Sequence, residues 1–207
     1  MIEITTRDYE ILRLVFRFRF CLGRHIRTLG NFSGLRAADR RLKVLVESGY
    51  LMRKKYLYGI PYLYTLTHKG RVLLGVNKRA DTIRLERITH DIYVLEAVIF
   101  FVKKFGVSLQ DIRSEKELHI QDGFGDRKHH PDFVAALDGT TIAIEVELNP
   151  KAKLTLENNI RDNYLNYDRQ IWITNDSKIT AIIQNFVNEY PNIEMMELKG
   201  VLEYDKF

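Results

Sequence analysis

The stretch of residues 35–49, LRAADRRLKVLVESG, decides the fold of the N-terminal part of the chain. Its residues separate onto two faces when placed on a helix, where positions three, four and seven apart lie together. The apolar face consists of four residues, Ala38, Leu42, Leu45 and Val46. Arg36, Arg40 and Lys43 fall at i, i+4 and i+7 on another face, and Gly49 ends the helix. The stretch therefore predicts an amphipathic helix with a basic, exposed side.

The residues on either side complete a pattern of helices followed by a hairpin. The predicted elements are a first helix capped by Thr6, a short helix over 23–29, a turn over 30–34, a hairpin over 50–66 broken at 59–61, and a helix over 67–74. The hairpin is basic, and a basic hairpin after a basic helix is typical of a winged helix-turn-helix domain. The DNA-binding residues that this arrangement predicts are Arg36, Arg40, Arg41, Lys43, Arg53, Lys54 and Lys55.

The charges divide unevenly along the chain. Residues 1–80 contain 17 Lys and Arg residues against 5 Asp and Glu residues, a net +12, whereas residues 81–207 contain 15 against 22, a net −7. A basic region suits a polyanion such as double-stranded DNA, and an acidic region suits a metal site or a solvated surface. We therefore predict two domains, 1–80 and 81–207, with different functions.

Two short segments resemble the pattern of winged-helix regulators. Residues 41–51, RLKVLVESGYL, and 64–70, YTLTHKG, match its sequence "RLxxLvxxGyl…YxLTxxG". The Leu and Gly positions in this pattern are scaffold, so the resemblance implies the fold more than any DNA contact. A winged helix that binds a protein instead of DNA remains the alternative.

The second region predicts an α/β or α+β domain with a mixed central sheet. Its predicted elements are a helix over 82–105, a weak strand over 117–121, strands over 133–137 and 141–148, a helix over 153–167, a strand over 170–174, a helix over 178–190 and a strand over 193–198. Asp138-Gly139 joins the first two of the stronger strands and is a strong signal for a hairpin. The whole chain is therefore predicted to be α+β.

Three carboxylates in this region are candidates for chemistry. Strand periodicity places Glu145 and Glu147 on one face. If Asp132 points the same way from the neighbouring strand, three carboxylates converge, and a divalent cation such as Mg²⁺ or Mn²⁺ would neutralise them. The alternative is that Glu145 and Glu147 form the solvent-facing side of an amphipathic edge strand.

The segment from about Thr82 to Thr174 resembles the core of the PD-(D/E)xK nuclease superfamily, which has an acidic helix, a "PD" strand, an "ExK" strand, a helix and another strand. The resemblance implies that Asp132 and Glu145 bind metal, that Glu147 takes the position of the catalytic lysine, and that Glu96 or Glu86 completes the site. Glu in place of Lys removes the cation that polarises the attacking water. Lys151 or Lys153 could replace that cation only if the loop after the strand turns back.

The order of motifs along the chain resembles the replication-relaxation family of plasmids and integrative elements. The matching features are a winged helix, a helix that opens with Thr89-His90-Asp91, the sequences "PDF" and "EVELN", and a helix that ends in Asn163-Tyr164. The resemblance places His90 and Arg161 at the rim of the site, together with Glu96 and Lys153. His129 and His130 could flank it, although a surface loop is the alternative for both.

Three functions are consistent with these patterns. The first is a DNA-binding protein of a mobile genetic element, acting in plasmid replication, transfer or their regulation, with a nuclease-like and degenerate C-terminal domain. The second is an active Mg²⁺-dependent endonuclease targeted by its winged helix. The third is a transcriptional regulator whose C-terminal domain mediates dimerisation or protein binding. The predicted partners are double-stranded DNA, a second copy in a homodimer, and a replication or transfer protein.

The remaining composition predicts a cytoplasmic protein. A single cysteine, Cys21, cannot form an internal disulfide. The longest apolar run, Val94–Val102, is too short to span a membrane, and the polar N-terminus MIEITTRDYE does not resemble a signal peptide.

Overall fold

The computed structural model of the chain describes residues 2–76, 80–123 and 128–203. The chain divides into two units, residues 1–95 and 96–207, and the division falls inside the helix α5 (Ile88–Phe105). Ile88 and Ile92, in the first turns of α5, pack into a core cluster with residues of the first unit, Phe20, Leu22 and Leu63. The start of α5 thus belongs to the first unit, whereas the sequence analysis assigned the whole helix to the second domain.

The first unit combines helices with a small antiparallel sheet. Its other elements are α1 (Thr6–Arg17), β1 (Cys21–Leu22), α2 (Gly23–Leu29), α3 (Leu35–Glu47), β2 (Leu51–Lys54), β3 (Leu63–Leu66) and α4 (His68–Leu73). The strand order among the described residues is β1-β3-β2, and both pairings are antiparallel. The sequence predicted the helices and the hairpin but missed the two-residue strand β1.

Two local features fix the ends of these helices. Thr5, and not Thr6, caps α1: its side chain accepts from the Asp8 backbone N–H, and Asp8 in return accepts from the Thr5 backbone N–H at 2.7 Å. Gly70 lies where a Cβ atom would collide with the carbonyl oxygen of Tyr50. Glycine is therefore required at position 70 for α4 to approach the end of α3 and the start of the hairpin.

The second unit is built on a mixed sheet. Its other elements are β4 (Ile112–Ser114), α6 (Glu115–Asp122), β5 (Phe133–Leu137), β6 (Thr140–Val146), α7 (Lys153–Asn166), β7 (Arg169–Thr174), α8 (Ser177–Gln184), β8 (Ile193–Glu197) and α9 (Leu198–Glu203). In the described part of the chain the strand order is β4-β5-β6-β7-β8. The pairs β4–β5 and β5–β6 are antiparallel, and β6–β7 and β7–β8 are parallel. The predicted α+β class with a mixed central sheet is confirmed.

The structure corrects one predicted element of this unit. Residues 117–121, predicted as a weak strand, lie in α6. Ser114 caps this helix in a capping box with Glu117, whose carboxylate accepts from the Ser114 backbone N–H at 2.9 Å. The box satisfies the first N–H groups of the helix and so favours helix over strand.

Other differences concern element ends. The helix α5 begins at Ile88 after a 3-10 turn over Leu85–Arg87, and α8 ends at Gln184 instead of Tyr190. The strand β4 and the helix α9 were not predicted. No helix within the described ranges has the length and hydropathy that crossing a membrane requires.

Candidate functional site

Asp132, Glu145 and Glu147, here called the carboxylate cluster, lie where β5 begins and β6 ends. The β5–β6 register pairs Phe133 with Ile144, so Asp132 lies one residue further along the ladder, beside Glu145. Glu145 and Glu147 are only 4% and 5% exposed. Because β6 lies between β5 and β7, the alternative of a solvent-facing edge strand is wrong.

Glu145 is held by two polar side chains. His129 Nε2 lies 2.7 Å from Glu145 Oε1, and Asn163 Nδ2 of α7 donates to the same oxygen at 3.0 Å. Burial alone would lower the pKa of His129, but the hydrogen bond and the charge of Glu145 outweigh burial and raise it. The pair therefore favours a protonated imidazole beside a carboxylate.

Asp132 accepts a hydrogen bond from the backbone of the neighbouring strand. Its Oδ2 accepts a 2.8 Å hydrogen bond from the Val146 N–H. The Val146 N–H lies between the two glutamates in sequence, so this bond fixes the start of β5 to the end of β6. One carboxylate oxygen of Asp132 therefore has a structural role in holding these two strands together.

Glu147 is paired with a lysine that the loop after β6 brings back. The Nζ of Lys151 lies 2.6 Å from Glu147 Oε2, although this oxygen has no hydrogen-bond donor in good alignment within the described residues. Burial raises the pKa of Glu147, and the charges of Glu145 and Asp132 raise it further against the opposing effect of Lys151. Burial alone would lower the pKa of Lys151, but Glu147 and the other two carboxylates together raise it.

The donor chemistry of the carboxylate cluster suits Mg²⁺ or Mn²⁺, but its arrangement does not. Asp132 is bound to the backbone, Glu145 to His129 and Asn163, and Glu147 to Lys151. Across residues 2–76, 80–123 and 128–203, the one group of three candidate ligands with donor atoms within 4.8 Å of each other lies elsewhere in the second unit. As arranged, two of the three carboxylates are paired with basic side chains and the third accepts from a backbone N–H, so a divalent ion would have to replace these contacts.

Two of the predicted rim residues, Lys153 and Arg161, contact side chains outside the carboxylate cluster. The Nζ of Lys153 lies 5.8 Å from the centroid of the Phe186 ring, and Arg161 donates to Asn158 Oδ1 at 3.3 Å. These contacts of Lys153 and Arg161 involve no member of the carboxylate cluster. His90 belongs to the first unit, where its Nδ1 lies 3.1 Å from Asp91 Oδ1. Glu96 is half-buried on α5, and Glu86 is exposed before it.

Six exposed cations of the first unit lie on α3 and the hairpin, and we call these six the basic surface: Arg36, Arg40, Lys43, Arg53, Lys54 and Lys55. The α3 members lie opposite the buried face of that helix, and Lys43 Nζ lies 3.7 Å from Glu47 in a loose, exposed pair. In the hairpin, the Arg53 guanidinium lies 4.1 Å from the Tyr62 ring centroid. All six side chains are therefore open to solvent.

Arg41 differs from the other predicted DNA-binding residues because its side chain binds other residues of the first unit. Its guanidinium binds both carboxylate oxygens of Asp8, with Nε 2.7 Å from Oδ1, and Nη2 also donates to the Glu3 carbonyl at 2.9 Å. Burial alone would raise the pKa of Asp8, but the hydrogen bonds from Arg41 and Thr5 outweigh burial and lower it. Arg41 holds α3 against the start of α1 and is therefore not a member of the basic surface.

The sequence reasoning named Asn163 only as part of a family motif at the end of a helix and did not predict it as a site residue. It is 1% exposed, and its Oδ1 has no hydrogen-bond partner within the described part of the chain. The buried residues of α7, Leu156, Asn159, Ile160 and Asn163, recur at helical spacing. A buried amide on that apolar stripe was the available signal, because buried polar groups usually have a specific partner.

Comparison with family models, curated proteins and solved structures gave no significant match. The basic surface and the side-chain clusters of the second unit are therefore the features from which a function can be inferred.

Proposed function

We propose that this chain is a DNA-binding protein of a mobile genetic element, acting in plasmid replication, transfer or their regulation, and that its first unit binds the duplex. The observation that carries the proposal is the basic surface, which combines a helix and the following hairpin in one unit. The element order, three helices and then a hairpin, supports a winged helix-turn-helix. The link to mobile elements comes from the resemblance to the replication-relaxation family.

The chemistry of the basic surface suits a duplex. A major groove admits an α-helix, and arginine and lysine on the exposed face of α3 provide donors for phosphates and for guanine edges. Arg36 and Arg40 lie one helical turn apart, and Ala38, Leu42 and Leu45 anchor the opposite face in the core. The hairpin cations would contact the adjoining backbone, as a wing does.

The second unit is, in this proposal, a nuclease-like domain that has lost catalysis. Its order of strand pair, helix and parallel strand supports the resemblance to the PD-(D/E)xK core. The carboxylate cluster already has protein counter-charges, because His129 binds Glu145 and Lys151 binds Glu147. We therefore expect it to stabilise the domain instead of binding metal.

An active Mg²⁺- or Mn²⁺-dependent endonuclease is the second candidate, and one observation favours it. The loop after β6 brings the Lys151 ammonium within 2.6 Å of Glu147. Lys151 could therefore replace the lysine of the nuclease pattern, whose position Glu147 occupies in this chain. Incubation of supercoiled plasmid with protein and Mn²⁺ separates the candidates. Nicking by the wild type that is lost in Asp132→Ala and in Glu145→Ala would establish the endonuclease, whereas intact plasmid at all metal concentrations supports the degenerate domain.

Duplex binding is tested by fluorescence anisotropy over a salt series. We expect the double variant Arg36→Ala/Arg40→Ala to bind at least about tenfold more weakly at low salt and to show a shallower salt dependence, because each phosphate contact adds to that slope. The matched control Lys104→Ala/Lys178→Ala removes two exposed cations from the second unit and should bind as the wild type does. Equal losses in both double variants, or no binding by the wild type, would contradict the proposal.

A further inference from the structure

We propose that His119, Asp122 and His130 form a Zn²⁺ site in the second unit, separate from the carboxylate cluster. His119 and Asp122 lie three residues apart on α6, and His130 lies in the segment before β5. One donor atom from each side chain lies within 4.8 Å of the other two. The two imidazole rings are 4.6 Å apart between centroids, and His130 Nε2 is hydrogen-bonded to Asp122 Oδ2.

The fold brings the two ligand-bearing segments together. The antiparallel pairing of β4 with β5 places Ser114 opposite Phe133, and the Glu115 N–H donates to the Asp132 carbonyl at 2.9 Å. The helix α6 begins directly after β4, and His130 lies three residues before Phe133. Sheet register therefore determines that His130 faces α6, independently of any ligand.

The donor set selects the kind of ion. Two imidazoles and one carboxylate suit a borderline first-row ion, of which Zn²⁺ is the common example in proteins, whereas Mg²⁺ and Ca²⁺ prefer oxygen donors alone. Three protein ligands leave at least one position for water or an external donor. Zinc at this site would thus be distinguishable from the Mg²⁺ or Mn²⁺ that the nuclease pattern implies.

The ligands are accessible and close to the required separation. The exposed side-chain fractions are 11% for His130, 34% for Asp122 and 45% for His119, so rotation of the outer two is not blocked by a core. Ligands at about 2.1 Å from a tetrahedral ion lie about 3.4 Å apart. Donor atoms at the 4.8 Å limit would therefore close by about 1.4 Å, whereas the hydrogen-bonded atoms of Asp122 and His130 would move apart. Asp122 and His130 also line a cavity of about 550 Å³, which provides a route for the ion.

Adjacent histidines serve different clusters. His129 Nε2 binds Glu145 of the carboxylate cluster, whereas His130 Nε2 binds Asp122 of α6. The proposed zinc ligands include no member of the carboxylate cluster. Zinc binding can therefore be tested without reference to DNA binding or to cleavage.

The test measures zinc bound to the full, tag-free chain after removal of metal with a chelator and dialysis against Zn²⁺. We expect one zinc per chain by atomic emission, with no displacement by excess Mg²⁺. His119→Ala and His130→Ala should each weaken the affinity by about 100-fold or more, because substitutions in the outer shell alone cost about 10- to 100-fold. Asp122→Asn keeps the size of the side chain and tests the carboxylate if an alanine variant fails to fold.

Two control variants make the outcome decisive. His68→Ala removes an exposed histidine of the first unit, and Asp138→Asn removes the charge of an exposed carboxylate of the second unit; both should retain full zinc binding. Circular dichroism of each variant reports folding. The proposal is overturned if the wild type retains no zinc, if His119→Ala/His130→Ala retains as much as the wild type, or if Asp138→Asn loses zinc while the histidine variants keep it.

Discussion

The two units handle charge in opposite ways. The first unit leaves its cations exposed on α3 and the hairpin, where water and salt solvate them. The second unit buries Glu145 and Glu147 to 4% and 5% exposure and surrounds them with partners. Exposed charges cost the fold little and stay available to a ligand, whereas buried charges require counter-charges from the fold itself. The charged residues available to a ligand are thus the exposed ones, whereas the buried ones are already paired with other groups of the protein.

The largest effect on stability is expected when a buried carboxylate of the second unit loses its cationic partner. Lys151→Met should lower the free energy of unfolding by about 2–3 kcal/mol, less than the loss of a fully buried partner because 40% of the Lys151 side chain is exposed. Urea denaturation followed by tryptophan fluorescence of the buried Trp172 measures it. The double variant Lys151→Met/Glu147→Gln should recover most of the loss, and a double variant as unstable as the single one would contradict the role of Lys151 as a counter-charge.

The pH dependence of that variant has a definite sign. Burial and neighbouring carboxylates raise the pKa of Glu147, so the folded state holds the proton more tightly than the unfolded state. Stability then falls as the pH rises from the ordinary value of Glu through the raised one. Without Lys151 the pKa rises further, so the deficit of Lys151→Met relative to the wild type should be smaller at about pH 5 than at about pH 8.

A smaller effect, with the opposite pH dependence, is expected in the first unit. Asp8→Asn should lower the free energy of unfolding by about 1–2 kcal/mol, because it removes the charge of the buried Asp8 carboxylate that binds Arg41 through both oxygens. The pKa of Asp8 is lowered, so this contribution is present above the ordinary value of Asp and is lost as the pH falls through the lowered value. Denaturant midpoints of the wild type and Asp8→Asn should therefore stay apart at about pH 6 and converge as the pH falls below the ordinary value of 3.8, and midpoints that stay apart at acidic pH would refute the role of the charge.

The smallest effect is expected on the basic surface. Arg36→Ala/Arg40→Ala should change the free energy of unfolding by less than about 0.5 kcal/mol, because both side chains are exposed. The same urea denaturation measures it at neutral pH. A large loss of stability in this variant would mean that the fold uses these arginines as it uses Arg41, and the contrast between the units would fail.

The sequence predicted the elements whose signals are local. The periodicity of residues 35–49 gave α3, and the Asp138-Gly139 pair gave the β5–β6 hairpin. It failed for α6, where Leu118 and Ile120 alternate as in a strand, because the capping box of Ser114 and Glu117 was overlooked. Local sequence patterns therefore predict these elements correctly when periodicity and helix-capping residues are considered together.

The site depended more on tertiary contacts. Alternation of residues 141–148 fits an edge strand and a central strand equally, so the burial of Glu145 became visible only with β7 alongside β6. The approach of Lys151 depends on the path of the loop after β6, and that of Asn163 depends on how α7 packs. No periodicity encodes either contact. The separation of Arg41 from its basic neighbours likewise depends on Asp8, 33 positions away.

The two-residue turn of the β5–β6 hairpin has a consequence for how this chain can vary in evolution. Asp138 and Gly139 both have positive φ, and the strands pair from Leu137 and Thr140 outward without a bulge. Because side chains alternate along a strand, one residue added inside β6, between this turn and Glu145, would turn Glu145 to the opposite side of the sheet from its partners unless a bulge absorbed it. Insertions inside this strand should therefore be tolerated less well than insertions in surface loops, and related sequences with the same cluster should keep the number of residues between this turn and Glu145.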